Sequence, residues 1–389
     1  MKFSIVIPTR DRSDTLRSTL MSCKNCNYTD VEFIIVDNFG DKKTNKVVAE
    51  FLDDQRFTYT RTTRRLPMSE NWAYGISLST GDYISVLGDD DALLQDSLIN
   101  AKSLFDRFNV NALRSSSVNF KWPTISESNV SSTYFIPSLF YRSKIVQTRE
   151  AIRLCLNGYR YYSYLPVIYN GGFVKRDILE SIARYNDSNL IPCRNPDVYI
   201  GVAIALTIDN YLMTELPMVV NGASHHSNGT ANHTSSPNSI IKRMYEDKNG
   251  PSQIFLSEQN IPFDKNLLQD ESDPTFNIQI AMYDALYKTK KLPKYAYYHA
   301  TYTLKDLVES CIRVPGKSKT RTDNWINLMV DSHGFCLTQN GNSWYFEKIN
   351  KKLSLIPKLL LKLTNFIHPR FSNAYEASLY LSKLIKFRF

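Results

Sequence analysis

The chain has 389 residues, enough for two or three domains. Its hydrophobic content of 43% and charged content of 22% are those of a globular protein, which excludes a disordered or low-complexity chain. The net charge of +9 is concentrated in residues 351–389, which carry eight Lys or Arg and one acid, so we expect no nucleic-acid partner.

The first hundred residues alternate strand and helix patterns. Strands are predicted at Phe3–Ile7, Glu32–Val36, Arg56–Arg61 and Asp82–Leu87. Helices are predicted between them, at 13–23, 43–52 and 69–78. Strands joined by single helices indicate right-handed βαβ crossovers, an α/β fold and a mainly parallel sheet.

Polar residues follow the predicted strands at one edge of this sheet. Pro8-Thr9-Arg10 and Asp37-Asn38 follow the first two strands, and three consecutive acids, Asp89 to Asp91, follow the fourth. Ligands of parallel sheets bind beyond the carboxyl ends of the strands. A dinucleotide fingerprint and a P-loop are both missing from the sequence, so a nucleotide would be held by side chains and a metal ion.

The later elements are less regular. Helices are predicted at 95–108 and 148–156, and another begins at Asn195-Pro196, with Asn195 as N-cap. An aromatic block runs from Gly158 to Ile182, and a Gly, Ser and Asn loop from Asn221 to Ser236. From residue 239 to 314 the pattern is helical, and no internal repeat is present.

Three segments, in order along the chain, resemble the family 2 glycosyltransferases with the GT-A fold. They are FSIVIPTRDRSDTLRSTLMSC, FIIVDNFG and MSENWAYGISLSTGDYISVLGDDDAL, and together they cover residues 1–110. NPDVYIGVAIA and HHSNG extend the resemblance to about residue 230. It implies a GT-A, Rossmann-like α/β domain over 1–235, a nucleotide-sugar half at 1–110 and an acceptor half at 111–235. A helical region at 236–349 and a basic tail at 350–389 would follow.

The resemblance also assigns residues to the nucleotide-sugar. Several matched positions are expected to contact it: Pro8, Thr9, Arg10, Asp37, Asn38, Arg65, Asn71 and Asp89. The family's common acidic motif is Leu-Asp-x-Asp-Asp, whereas Gly88 stands here at its first Asp. Asp90 becomes the best metal ligand, Asp89 a ribose or metal contact, and Asp91 either a ligand or a cap of the next helix.

Glycosyl transfer requires charge neutralisation at the leaving diphosphate and a base for the acceptor hydroxyl. Mn²⁺ or Mg²⁺ suits carboxylate and phosphate oxygens, and Asp90 and Asp91 are its predicted ligands. Arg64 and Arg65 either neutralise phosphate or form a solvated turn. Asp197 is the predicted base, the alternative being an acid at a helix start favoured by the dipole. A base acting by single displacement would invert the anomeric centre.

Two further groups have open interpretations. His226, or His225, either reaches the metal from a lid loop or is an incidental loop residue, and His233 is a weaker candidate. Aromatic residues of the central block either line an acceptor-sugar platform or belong to the core. They are Tyr159, Tyr161, Tyr162, Tyr164 and Tyr169, and we predict that Tyr162 and Tyr169 contact the acceptor.

The tail mixes Leu, Ile and Phe with Lys and Arg. Such helices bind anionic membrane surfaces; the alternative is a helical pair packed on the protein. The sequence thus predicts an inverting, metal-dependent glycosyltransferase at the inner face of the plasma membrane. It would use a UDP-sugar donor and a growing, lipid-linked glycan acceptor. The alternatives are a retaining or hydrolytic enzyme on this fold and a non-catalytic glycan-assembly scaffold.

Overall fold

A computed structural model describes residues 1–123, 132–134, 141–193, 195–224, 277–314, 326 and 371–386. The predicted histidine loop, the predicted domain boundary at residue 235 and the basic stretch 350–370 lie outside these ranges. Across them, no helix is both long and apolar enough to cross a membrane.

The first four strands form the predicted parallel sheet, in the order β3-β2-β1-β4. They span Phe3–Thr9 (β1), Val31–Asp37 (β2), Phe57–Arg61 (β3) and Tyr83–Val86 (β4). Phe3, Ile5, Val6 and Ile7 are buried on both faces of β1, because helices cover each side of the sheet.

The second half of the sheet is mixed. Antiparallel β9 (Gly172–Lys175) joins β4 to β6 (Ala112–Lys121), which pairs in parallel with β10 (Asn210–Ala223). The short strands β5, β7 and β8 complete ten strands in the described chain. They span Ala92–Leu93 (β5), Ser132–Tyr134 (β7) and Ser143–Gln147 (β8). The α/β prediction, with a large sheet flanked by helices, is confirmed.

Helices cover both faces of this sheet. The first seven span Ser13–Lys24 (α1), Lys42–Ala49 (α2), Met68–Ser77 (α3), Ser97–Phe108 (α4), Thr148–Leu156 (α5), Arg176–Tyr185 (α6) and Pro196–Thr207 (α7). Close approach of α3 to the sheet requires Gly75, where a Cβ would lie 2.5 Å from Val6 and 2.9 Å from Val36. This packing places the first turn of α3, with Asn71, over the carboxyl ends of β1 and β2.

The residues that the structure describes after β10 include the predicted C-terminal helices. Ile278–Lys288 (α8) packs on α7, and Tyr295–Thr301 (α9) and Leu304–Arg313 (α10) follow, α10 beginning with a capping box at Thr303. The last helix, Ala374–Lys386 (α11), packs on α1 and on the β5–β10 edge of the sheet. There the Tyr375 amide donates to Ser18 and the Gln95 amide to Ser382, so this part of the tail has the packed arrangement.

Candidate active site

The acidic turn that follows β4 is closed by Asp91. Its Oδ2 accepts the Gly88 amide at 2.9 Å and its Oδ1 accepts the Gly222 amide of β10 at 2.7 Å. The Tyr169 hydroxyl also bonds this carboxylate, and the side chain is wholly buried. Gly88 is required by this arrangement, since a Cβ there would lie 2.4 Å from Asp91 Oδ2 and 2.8 Å from the Tyr169 hydroxyl. Asp91 therefore fixes the shape of the turn.

The other two acids of the turn have different partners. Asp90 Oδ2 accepts Ser224 Oγ at 2.6 Å and the Ser224 amide at 3.2 Å, and its carbonyl accepts the Trp122 indole. Asp89 Oδ1 forms an ion pair with Arg12 at 2.9 Å. Both carboxylates are at least 97% buried, and each keeps one oxygen outside these contacts. Asp89 and Asp90 thus have oxygen atoms that could hold a cation.

The electrostatics of the turn favour an added positive charge. Burial, and then the neighbouring Asp89 carboxylate, raise the pKa of Asp90 to about 6, while burial and Asp90 raise that of Asp91. Burial alone would lower the pKa of Arg12, but Asp89 and Asp90 outweigh it and raise that pKa. One guanidinium against three carboxylates leaves an excess of negative charge within the described residues. The donor set fits Mg²⁺ or Mn²⁺, which are typically held by one or two carboxylates plus water and phosphate oxygens.

Asp197 lies at the second position of α7, which begins with Asn195 and Pro196 as predicted. The Tyr162 hydroxyl donates a hydrogen bond to its Oδ2. Burial raises the pKa of Asp197, while the Tyr162 bond, the amides of the helix start and nearby Arg114 act in the opposite direction. The carboxylate is thus half-buried and oriented by a phenol, with a pKa above its ordinary value.

The Tyr169 hydroxyl lies at the acidic turn, where a Cβ at residue 88 would be 2.8 Å from it. It interacts electrostatically with Asp91, Asp90 and Asp197, and burial and these charges raise its pKa well above the ordinary value. Arg114, itself 92% buried, holds the surrounding loop by donating to the carbonyls of Ser163, Tyr169 and Asn170. The structure therefore brings Asp90 and Asp91, two of the three predicted metal ligands, near the predicted base Asp197.

The predicted acceptor tyrosines are also at this site, as partners of carboxylates. Tyr162 bonds Asp197 and Tyr169 bonds Asp91, so both phenols position acids. The exposed Tyr161 ring lies 4.8 Å from the Tyr162 ring, centroid to centroid, in a tilted arrangement. Contact of these residues with an acceptor stays a prediction.

At the predicted nucleotide end, Asp37 is fully buried. Its Oδ1 accepts the Gly40 amide at 2.8 Å and its Oδ2 accepts the Tyr59 hydroxyl at 2.9 Å, with Arg61 at 3.7 Å. Burial raises the pKa of Asp37, although these partners act to lower it. Tyr59 and Gly40 were not among the predicted site residues, because no spacing rule links them to Asp37.

Asn38 and Arg65 shape the neighbouring loop. The Asn38 amide donates to the Leu66 carbonyl at 2.8 Å and accepts the Leu66 amide at 2.7 Å. Arg65 lies 3.5 Å from Asp11, and its side chain is half exposed at the loop's edge. Pro8 and Arg10 are partly exposed at the end of β1. Nucleotide contact by these four residues stays a prediction.

Two buried polar atoms near this edge have no hydrogen-bond partner among the described residues. They are Thr9 Oγ1 and Asn71 Oδ1, on side chains that are 97% and 96% buried. An unsatisfied buried acceptor costs about 1–3 kcal/mol. Thr9 ends β1 and Asn71 overlies it from α3, so both atoms suit a polar ligand at this edge.

Sequence reasoning missed the contribution of β10 to the acidic turn. Gly222 and Ser224 bond Asp91 and Asp90 across more than 130 residues of chain, and a Cβ at Gly222 would lie 1.8 Å from the Asp90 carbonyl oxygen. Arg12 was missed as well, although an Arg after a buried strand with an acid cluster at the same sheet edge is a usable signal. His225, His226 and His233 lie outside the described residues.

Comparison with known proteins gives one family match and several curated relatives. Residues 4–163 match the sequence model of glycosyl transferase family 2. The chain is 32% identical over 110 residues to abequosyltransferase RfbV of Salmonella typhimurium, covering 27% of this chain and 33% of that protein. It is 30% identical over 100 residues to the GalNAc(5)-diNAcBac-PP-undecaprenol beta-1,3-glucosyltransferase of Campylobacter jejuni, covering 25% and 32%. The matched segment thus spans about a third of each curated relative.

Among solved structures, residues 1–349 of S. aureus TarS in complex with UDP-GlcNAc superpose with a TM-score of 0.49 at 12% identity, covering 87% of this chain and 93% of that one. The mannosyltransferase PcManGT of Pyrobaculum calidifontis, in complex with GDP-Man and Mn²⁺, superposes with a TM-score of 0.43 at 15% identity, covering 85% and 86%. Residues 4–163, which match the family model, contain both the parallel βαβ half of the sheet and the acidic turn. The chain carries a glycosyl transferase family 2 domain over residues 4–163.

Proposed function

We propose that this chain is an inverting glycosyltransferase that moves a sugar from a nucleotide-sugar, UDP-linked by the family resemblance, to a growing surface-glycan acceptor. One observation carries the proposal. The Tyr169 hydroxyl, which would lie 2.8 Å from a Cβ at residue 88 of the acidic turn, interacts electrostatically both with Asp90 and Asp91 of that turn and with the half-buried carboxylate of Asp197. A site that can hold a cation for the leaving diphosphate, beside a base for the acceptor hydroxyl, is what a single displacement at a sugar carbon requires.

Asp197 acts as the general base. Its raised pKa brings the carboxylate nearer to the range in which a base is effective, and the Tyr162 hydroxyl holds it in one orientation. It removes the proton of the acceptor hydroxyl as the oxygen attacks the anomeric carbon, and the nucleoside diphosphate leaves on the opposite face. One such displacement inverts the configuration at that carbon.

Asp90 and Asp89 would hold Mn²⁺ or Mg²⁺ through the oxygens that Ser224 and Arg12 leave available. Such an ion, when bound, supplies Lewis-acid stabilisation of the leaving diphosphate. Asp91 keeps both residues in place through Gly88 and Gly222. His226 remains a candidate for a further ligand.

The donor nucleotide lies along the carboxyl ends of β1 and β2. Thr9 and Asn71 offer it the buried polar atoms that have no partner among the described residues. Asp37 reads the base or ribose, or shapes the pocket wall through Gly40 and Tyr59. Arg10 and Arg65 supply positive charge for the phosphates.

The acceptor is a glycan carried on a lipid. The Campylobacter relative is named for an undecaprenyl-diphosphate-linked acceptor, and this similarity supports the proposal. The basic stretch before α11 would then hold the enzyme on the anionic inner face of the membrane. On this proposal residues 1–235 form the transferase domain, 236–349 the helical region and 350–389 the tail.

A donor screen by nucleotide release tests the proposal. Purified full chain with Mn²⁺ is offered a panel of UDP-sugars, with and without short-chain lipid-diphosphate sugars. We expect one donor to release UDP faster with an acceptor present, and the product to have the inverted anomer. Asp197→Asn should lower turnover by about 10²- to 10⁴-fold and leave donor affinity unchanged.

Asp177→Asn is the matched control. Asp177 also occupies the second position of a helix, α6, but it is exposed. If Asp197→Asn and Asp177→Asn both keep full transfer, Asp197 is not the base. A product of retained configuration, or free sugar, would favour a retaining or hydrolytic enzyme. No UDP release with any donor would favour a non-catalytic scaffold.

A further inference from the structure

Three asparagine side chains form a chain of hydrogen-bonded amides beside the site, here called the amide ladder. The Asn170 amide donates to Asn221 Oδ1 at 2.6 Å, and the Asn221 amide donates to Asn119 Oδ1 at 3.1 Å. Asn221 and Asn119 are partners in the parallel pairing of β10 with β6. Exposure rises along the ladder, from 8% at Asn170 through half-buried Asn221 to exposed Asn119.

The ladder is built into the frame of the acidic turn. Asn221 precedes Gly222, whose amide donates to Asp91, and Asn170 follows Tyr169, whose hydroxyl bonds the same carboxylate. Val118, Phe120 and Val220 belong to the core on one face of the sheet. Asn119 and Asn221, which alternate with them, therefore point from the opposite face.

The buried end of the ladder is rigid and lacks one hydrogen bond. Asn170 has a φ of +53°, and its carbonyl accepts Arg114 at 2.6 Å, so its backbone is held in the left-handed conformation. Its Oδ1 is buried with no partner among the described residues. Leaving such an oxygen unpaired costs stability, and a hydroxyl group arriving from a ligand could recover that cost.

The chemistry of the ladder selects the class of ligand. Each side-chain amide offers a carbonyl that accepts and an NH₂ group that donates, which matches the paired hydroxyls of a sugar ring. The three side chains carry no charge, in contrast to the acidic turn, so the ladder suits a neutral hydroxyl-rich group better than a phosphate.

We propose that the amide ladder is the subsite that binds the acceptor glycan through its sugar hydroxyls and selects which sugar is accepted. The inference rests on the proposed transferase function, since it names the acceptor side of that same site. Asn221 and Asn119 make the direct contacts, and Asn170 fixes Asn221 and receives a hydroxyl at the inner end.

Binding, measured without turnover, tests the inference. Full-length protein with UDP and Mg²⁺ is offered methyl glycosides of glucose, galactose, mannose and N-acetylglucosamine, and saturation-transfer-difference NMR reports the bound sugar. UDP affinity is measured separately by calorimetry. We expect at least one glycoside to bind, and Asn119→Ala and Asn221→Ala to weaken its binding at least fivefold while UDP affinity stays within twofold.

Asn45→Ala is the control, because Asn45 is an exposed asparagine on α2. Asn119→Ala cannot fail merely by unfolding, since its side chain is exposed, and its melting temperature is compared with that of the control. Unchanged glycoside binding in both ladder variants, binding of no glycoside by the parent, or a parallel loss of UDP affinity would overturn the inference. Glycoside binding that depends on the ladder without UDP binding would support the subsite and refute the proposed donor.

Discussion

Replacing Tyr162 with Phe tests the role of Asp197 through its ionisation. Tyr162 donates its hydroxyl proton to Asp197 Oδ2, and this bond lowers a pKa that burial otherwise raises. Removing the hydroxyl while keeping the ring deletes that bond with little change in packing. The pKa of Asp197 should therefore rise further in Tyr162→Phe, and a base must be ionised to act.

The size of the shift follows from the bond. A hydrogen bond to a charged group contributes about 1.5–3 kcal/mol, and each ~1.4 kcal/mol changes the proton affinity of the carboxylate about tenfold. Asp197 is half-buried, so water replaces part of the lost bond, and we expect the lower end of this range. At a pH on the acidic limb of the rate profile, the variant should then be about tenfold slower.

The assay is the pH profile of kcat/KM for acceptor-dependent UDP release. Its acidic limb should move toward higher pH in Tyr162→Phe, and the activity should recover on the alkaline side. Tyr164→Phe, from the same turn, is the control, because the Tyr164 ring lies under Lys144 and Arg160. An acidic limb that stays in place in Tyr162→Phe, or moves equally in Tyr164→Phe, would refute the reasoning.

Three further changes have defined outcomes. Gly88→Ala should lower the free energy of unfolding by about 1–3 kcal/mol and weaken UDP binding, measured by urea titration and calorimetry, since its Cβ meets Asp91 and Tyr169. Glu32→Gln should cost up to about 3 kcal/mol at pH 7, because Lys2, Ser4 and Thr80 overcome burial and lower the pKa of Glu32 to about 2. The difference in stability between Glu32→Gln and the parent should disappear as the pH falls from about 4.5 to about 2. Thermal unfolding at a series of pH values measures it. Changing the four lysines of 351–362 to Gln should release the protein from anionic liposomes in a sedimentation assay, and undiminished binding would assign no membrane role to them.

Local patterns were sufficient to predict the first half of the fold. The apolar run of β1 and the alternating β3 are joined to their neighbours by single helices, and all four predicted strands form and pair in parallel, as predicted. Asn195 and Pro196 likewise mark the start of α7 correctly. Hydrophobic periodicity and helix-start residues are patterns among residues close together in the chain, so they can be recognised from the sequence alone.

The second half of the sheet depends on contacts that local sequence does not display. β10 is a 14-residue strand that contains Pro217, a residue that argues against a central strand, and its register with β6 shifts on both sides of that proline. The bonds from Gly222 and Ser224 to the acidic turn exist because this strand returns beside β6. Sequence alone left open whether the tyrosines of the central block line a sugar platform or belong to the core, because the partners of Tyr162 and Tyr169, Asp197 and Asp91, are distant in sequence.

The departure of this chain from the family's acidic motif has a physical cause in these contacts. Asp91 closes the turn by accepting the Gly88 amide, and any side chain at residue 88 would meet the Asp91 carboxylate and the Tyr169 hydroxyl. An acid at 88 and this closed turn therefore exclude each other unless the turn shifts. Asp89, which pairs with Arg12, is then the acid next to Asp90. Of the three aspartates, Asp91 has the structural role, whereas Asp89 and Asp90 each keep one carboxylate oxygen available. Two available carboxylates are enough for a metal that binds chiefly through diphosphate and water.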